Sequence, residues 1–199
     1  MTKFYLIRHG KKEETSGNPF LKDIGVVQAR LTAEFLRDKE IHRIYTSPLN
    51  RTIQTAQIIA DILNLQIEKD ERLVERMNWG DDPTETAKQF MDQWTKTDLD
   101  RHYQPPHGFS SHESGKRIES LINNLAAVHQ EKNIALITHG GTIVDLLTNV
   151  FPPELLPLKQ GIYSTVKSID IFECSITIIE KHNKSFNLIQ VGSVDHLYK

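Results

Sequence analysis

Residues 133–151 read NIALITHGGTIVDLLTNVF, and the rule of hydrophobic spacing changes halfway along them. Residues 134–137 form an unbroken apolar run, the pattern of a strand covered on both faces. Thr138, His139 and two glycines interrupt it, and from Gly140 onward the spacing is that of a helix. Residues 4–7 (FYLI) repeat the apolar run and end on Arg8, His9 and Gly10, while residues 43–47 (RIYTS) make a weaker third case. Helical spacing separates these runs: Ala29, Ala33 and Leu36; Ile53, Ala56, Ala60 and Leu63; Ile118, Leu121, Leu125 and Val128. Alternating strand and helix patterns predict an α/β fold with a mostly parallel central sheet. The C-terminal segments TVKSIDIF, SITIIE and FNLIQV are β-rich, and KHNKS between the last two reads as a hairpin turn. Antiparallel strands are therefore expected to finish the sheet.

The length of 199 residues suits one domain, 1–199, with a small cap-like insertion at about 80–111. That insertion is polar, punctuated by Pro83, Pro105, Pro106 and Gly108, and is expected to lie over the sheet's edge. TETAKQFMDQW within it reads as an amphipathic helix whose Phe90 and Trp94 pack it down. With 38% hydrophobic and 25% charged residues and a net charge of −2, the composition is globular and argues against nucleic acid or an anionic membrane as partner. Cys174 is the lone cysteine, so neither an internal disulfide nor a cysteine-rich zinc site is expected. No signal peptide or apolar span is visible, and a reducing cytoplasm is the expected compartment.

Open α/β sheets bind ligands outside the carboxyl ends of their strands. Three segments deliver polar residues there: Arg8, His9 and Gly10; Ser47, Pro48 and Arg51; Thr138, His139, Gly140, Gly141 and Thr142. Ser47 is expected to cap the helix that Pro48 opens. Gly140 and Gly141 let backbone N–H groups approach an anion, and guanidinium groups match phosphate oxygens in pairs. A neutral imidazole is a competent nucleophile near pH 7 if one nitrogen holds the proton. A carbonyl near Gly10 accepting from His9 Nδ1–H would fix that tautomer, and His139, protonated, would add a positive donor. Glu75 follows an expected strand end at Leu73 and Val74. A carboxyl beside a phosphate dianion holds its proton to higher pH, which suits a general acid. This chemistry asks for no metal and no cofactor, and the other seven of nine histidines show no metal spacing.

Four blocks in order resemble the histidine phosphatase superfamily, which includes the phosphoglycerate mutases: LIRHG, YTSPLNRTIQTAQIIA, RLVER and ALITHGGTI. DIGVVQA, HESGKR and CSITIIE are also similar to its pattern. The resemblance implies a three-layer α/β/α sandwich with the site at the strands' carboxyl ends. It implies phosphoryl transfer to His9, Glu75 as proton donor, and Arg8, Arg51 and His139 around the phosphoryl group of a small phosphorylated substrate. Asn18 is expected to reach that substrate, because related enzymes place an asparagine after RHG. The segment after RHG lacks the tryptophan–asparagine pattern of the mutases, so a phosphatase leads, with a mutase next and a non-catalytic phosphate-binding module last. Lys11 and Lys12 depart from the residues usual after RHG and read as a solvated charge run.

Overall fold

The computed structural model describes residues 1–160 and 167–198. Six strands form the central sheet: β1 (Thr2–Arg8), β2 (Ile41–Thr46), β3 (Ile67–Lys69), β4 (Asn133–Thr138), β7 (Ile176–His182) and β8 (Ser185–Ser193), in the order β3-β2-β4-β1-β7-β8. The pairs β3–β2, β2–β4 and β4–β1 are parallel, whereas β1–β7 and β7–β8 are antiparallel. β5 (Lys159–Gln160) and β6 (Lys167–Ser168) form a separate ribbon. The TVKSIDIF segment thus does not join the central sheet as expected. Its first two residues lie outside the described residues, and Lys167 and Ser168 pair with β5.

The unbroken apolar runs are explained by the two faces they cover. Phe4, Leu6, Ile134, Leu136 and Ile179 pack on one side with Ile118, Leu121 and Leu125 of α4 (Ser111–Val128) and Ile143, Leu146 and Leu147 of α5 (Gly140–Val150). Tyr5, Ile7, Ala135, Ile137, Ile176 and Ile178 pack on the other with Ala33 and Leu36 of α1 (Asp23–Leu36) and Ala56, Ile59 and Ala60 of α2 (Asn50–Leu63). Alternate side chains of each strand serve opposite layers, which gives the α/β/α sandwich. Val128 was expected on the buried stripe of α4 but is 74% exposed, because that helix ends at its position. The turn after β7 begins at Asn183, whose φ of 51° is a left-handed conformation that asparagine tolerates.

The segment before Glu75 departs from expectation. Leu73 closes a 3-10 turn, Glu71–Leu73, and the nearby strand is β3, which ends earlier at Lys69. Asp70 accounts for the difference: its Oδ1 accepts the Arg72 N–H at 2.8 Å and turns the chain out of the sheet. α3 (Ala87–Leu99) forms where the amphipathic pattern lies, opened by a reciprocal cap between Thr86 and Gln89. Arg101, just beyond it, donates to the Thr148 and Asp145 carbonyls and to Asn149 Oδ1. The segment is therefore fastened to α5. No described helix is long and apolar enough to cross a membrane.

Candidate active site

A cavity of about 600 Å³ opens at the carboxyl ends of the parallel strands, and Arg8, His9, Arg51, Glu75 and Gly140 line it. His9 follows β1 and is 5% exposed. Its Nδ1 lies 2.8 Å from the Gly10 carbonyl, so Nδ1 carries the proton and the lone pair is on Nε2. Burial, reinforced by the fields of Arg51 and Arg8, holds the imidazole well below its usual range. The ring is therefore neutral and fixed in one tautomer. Gly10 is itself clamped: its N–H donates to Thr55 Oγ1 at 3.1 Å, and that hydroxyl donates to the Arg51 carbonyl at 2.7 Å. A Cβ on Gly10 would lie 2.6 Å from the Gly25 carbonyl oxygen, so only glycine permits this approach to α1.

Arg51, in the first turn of α2, is 3% exposed. Its Nη2 donates to Asn78 Oδ1 at 3.1 Å, while Nε and Nη1 are buried without a partner among the described residues. Buried, unpartnered guanidinium donors are costly unless a ligand satisfies them. Arg8 is differently placed: Nη1 donates to the Ile171 carbonyl at 2.7 Å and Nη2 to Glu173 at 3.1 Å. Glu173 also lies 3.7 Å from Lys11. Lys11 therefore has an ion partner, and Lys12, expected in solvent, lines the cavity instead.

His139 does not reach the cavity surface. It is fully buried behind His9, with ring centroids 5.2 Å apart and an edge-on angle of 66°. Its Nε2 meets Ser47 Oγ at 2.9 Å, and Nδ1 has no partner among the described residues. Burial first, then Arg51, push its pKa well below the ordinary value, so the expected imidazolium is replaced by a neutral ring. Ser47 is correspondingly not the cap of α2, which begins at Asn50. Asn18 does that work: its Oδ1 accepts the Asn50 N–H at 2.7 Å. Asn18 thus does not line the cavity, and its side chain is spent on the start of a helix.

Glu75 is gripped by the beginning of α5. Its Oε2 accepts the Gly141 N–H at 3.2 Å, and Oε1 accepts the Thr142 N–H at 2.9 Å and the Thr142 hydroxyl at 3.1 Å. Trp94 of α3 adjoins it. A Cβ on Gly141 would lie 2.6 Å from Glu75 Oε1 and 2.8 Å from the indole edge. Phe90 and Trp94, expected merely to pack the insertion down, both line the cavity.

Three residues outside the expected set complete the site. Asn78 orients Arg51. Lys12 adds a cation. Arg76, 4% exposed, stacks its guanidinium 4.0 Å from the Trp94 ring and pairs with Asp98, Asp145 and the Ser111 hydroxyl. Asp145 is pushed up to about 7 by burial, against the pull of Arg76. Arg76 and Asn78 both sit in the RLVERMNWG block, but a buried charge is recognised only once its distant partners are known. Among the described residues, no group of three or more His, Cys, Asp or Glu side chains is arranged to hold a metal ion.

A neutral, tautomer-fixed histidine beside unsatisfied guanidinium donors makes a pocket suited to an anion. The sequence matches the histidine phosphatase superfamily (branch 1) over residues 4–193, and the chain belongs to that family. It is 33% identical over 167 residues to the putative phosphoserine phosphatase 2 of Hydrogenobacter thermophilus, covering 75% of this chain and 80% of that one. It is 31% identical over 163 residues to the probable phosphoglycerate mutase GpmB of Yersinia pestis, covering 75% of each. The fold is that of the Entamoeba histolytica phosphoserine phosphatase in complex with 3-phosphoglyceric acid. The TM-score is 0.76 at 22% identity, covering 99% of this chain and 100% of that one.

Proposed function

We propose that this protein is a metal-independent phosphatase that hydrolyses a small phosphomonoester through a phosphohistidine on His9. The observation that carries the reading is the neutral His9, with Nδ1 held by the Gly10 carbonyl, next to Arg51 donors that lack a partner. Arg8, Arg51 and the backbone at Gly140 hold the phosphoryl oxygens, and the buried His139 ring packs against His9 and backs it. The His9 Nε2 lone pair forms the N–P bond as the ester P–O bond breaks, and Glu75 gives its proton to the departing alkoxide. The resulting Glu75 carboxylate takes a proton from water, whose oxygen bonds to phosphorus as the N–P bond breaks. Phosphate leaves, and His9 is again neutral. In this reading residues 1–199 are one domain, and the insertion at about 80–111 caps the site.

A mutase would pass the phosphoryl group to a second hydroxyl in place of water. A relative named as a probable phosphoglycerate mutase gives that reading its place, and a cavity of about 600 Å³ with room for water beside a small ester favours hydrolysis. Phosphate release from p-nitrophenyl phosphate, unaffected by EDTA and stopped by vanadate, is expected. Turnover that vanishes with EDTA and returns with added metal refutes the mechanism. Phosphoglycerate interconversion faster than phosphate release selects the mutase.

A further inference from the structure

The phosphoryl-binding groups occupy one end of the cavity, and the rest of the wall has a different character. Lys12 also lines the cavity, and its Nζ donates to the Glu13 carbonyl at 3.2 Å. Arg76, the other cation on the wall, is already matched by Asp98 and Asp145. Phe90, Met91, Trp94, Val144, Ile169 and Ile171 instead line the cavity with apolar surface. Met91, 54% exposed, carries this apolar wall out to the protein surface.

The position of Trp94 connects this wall to the chemistry. Its indole edge and Glu75 Oε1 converge on the same point above Gly141. An alcohol protonated by Glu75 must leave alongside that indole. The ring is held in place before any ligand arrives, backed by an Arg76 guanidinium that is itself tied to α4 and α5 through Ser111 and Asp145. The volume of about 600 Å³ is within the range that accepts drug-sized molecules and exceeds what a small acid such as phosphoserine fills.

Resting on the phosphatase reading, we propose that the substrate's alcohol carries an aromatic or broad apolar group, which packs on Trp94, Phe90 and Met91, and that Trp94 is a specificity-determining residue. The esterified oxygen lies at Glu75, and the apolar body lies along α3.

The test compares esters whose leaving groups are all primary alkoxides: 2-phenylethyl phosphate, ethyl phosphate and phosphoserine. The wild-type protein is expected to favour 2-phenylethyl phosphate over both others by about 10- to 100-fold in kcat/KM, as burial of a ring on apolar surface implies. Trp94→Ala should shrink the ratio between the phenylethyl and ethyl esters about tenfold, and Trp94→Phe should retain most of it. Met91→Ala alters an exposed position and so leaves folding intact; it should shrink the same ratio about threefold. The proposal is overturned if ethyl phosphate or phosphoserine is turned over as well as the phenylethyl ester, or if Trp94→Ala and Met91→Ala keep the full preference. Hydrolysis of all three esters without preference removes this inference alone, whereas no hydrolysis of any ester, p-nitrophenyl phosphate included, removes the phosphatase reading with it.

Discussion

Changing Gly141 to alanine inserts a single methyl group where Glu75 and Trp94 meet. Its Cβ would lie 2.6 Å from Glu75 Oε1 and 2.8 Å from the indole edge, so one or both must retreat by about 1 Å to reach normal contact. The carboxylate is the end of a flexible side chain and yields first, losing its Gly141 and Thr142 donors as it goes. The cost to the fold is small: about 1–3 kcal/mol of overpacking, offset by about 1 kcal/mol of helix propensity gained over glycine. Catalysis suffers more, because a displacement of about 1 Å is worth about 100-fold in rate. His9, Arg8 and Arg51 stay in place, so the loss depends on how much the leaving group needs a proton. Steady-state phosphate release from an alkyl phosphate should fall about 100-fold and from p-nitrophenyl phosphate less than about fivefold, while thermal melts shift little. Equal losses for the two esters, or an undiminished alkyl rate, would show that Glu75 is not the proton donor.

Glu75→Gln should reproduce that leaving-group dependence without the steric change; a uniform loss across esters would contradict it. Asn78→Ala removes the acceptor at 3.1 Å from Arg51 Nη2, and should weaken competitive inhibition by inorganic phosphate about 5- to 10-fold; an unchanged inhibition constant would mean Asn78 does not hold the guanidinium in place. Stability should fall with acidification. His9 and His139 are held neutral when folded but titrate near about 6.5 when unfolded, so below that pH the unfolded chain binds more protons. Asp145, raised to about 7 from 3.8, binds its proton more readily when folded and offsets one histidine between those values. The net is a loss of about 1.4 kcal/mol per pH unit below about 6.5, read from urea midpoints between pH 7 and 5. A flat profile would show that the buried histidines are charged in the folded protein.

Side chains that depend on a strand's end were legible in the sequence; those that depend on a loop's path were not. The apolar runs of β1 and β4 fix where Arg8, His9, His139 and Gly140 emerge, and the spacing after SPLN carries Arg51 to the same edge. The structure brings Glu75 to the cavity as well, though from irregular chain just after a 3-10 turn that periodicity does not reveal. Ser47 and Asn18 both depart from their expected parts because both choices hinge on which loop polar atom meets the start of α2. That start takes Asn18 Oδ1, a contact across 32 residues, while Ser47 turns to His139. Trp94 and Arg76 show the same blindness from the other side. Helical spacing identifies an apolar face on α3 but not whether a core or a cavity lies opposite it. A buried arginine is recognisable only with Asp98 and Asp145 beside it.

Whether His9 becomes covalently phosphorylated can be settled by quenching the protein in alkali during turnover of a phosphomonoester and locating the adduct by peptide mass spectrometry. The expected finding is an acid-labile, alkali-stable phosphoryl group on the peptide containing His9, absent from His9→Ala together with turnover. A phosphoryl group on another residue, or full turnover by His9→Ala, would bring the mechanism down.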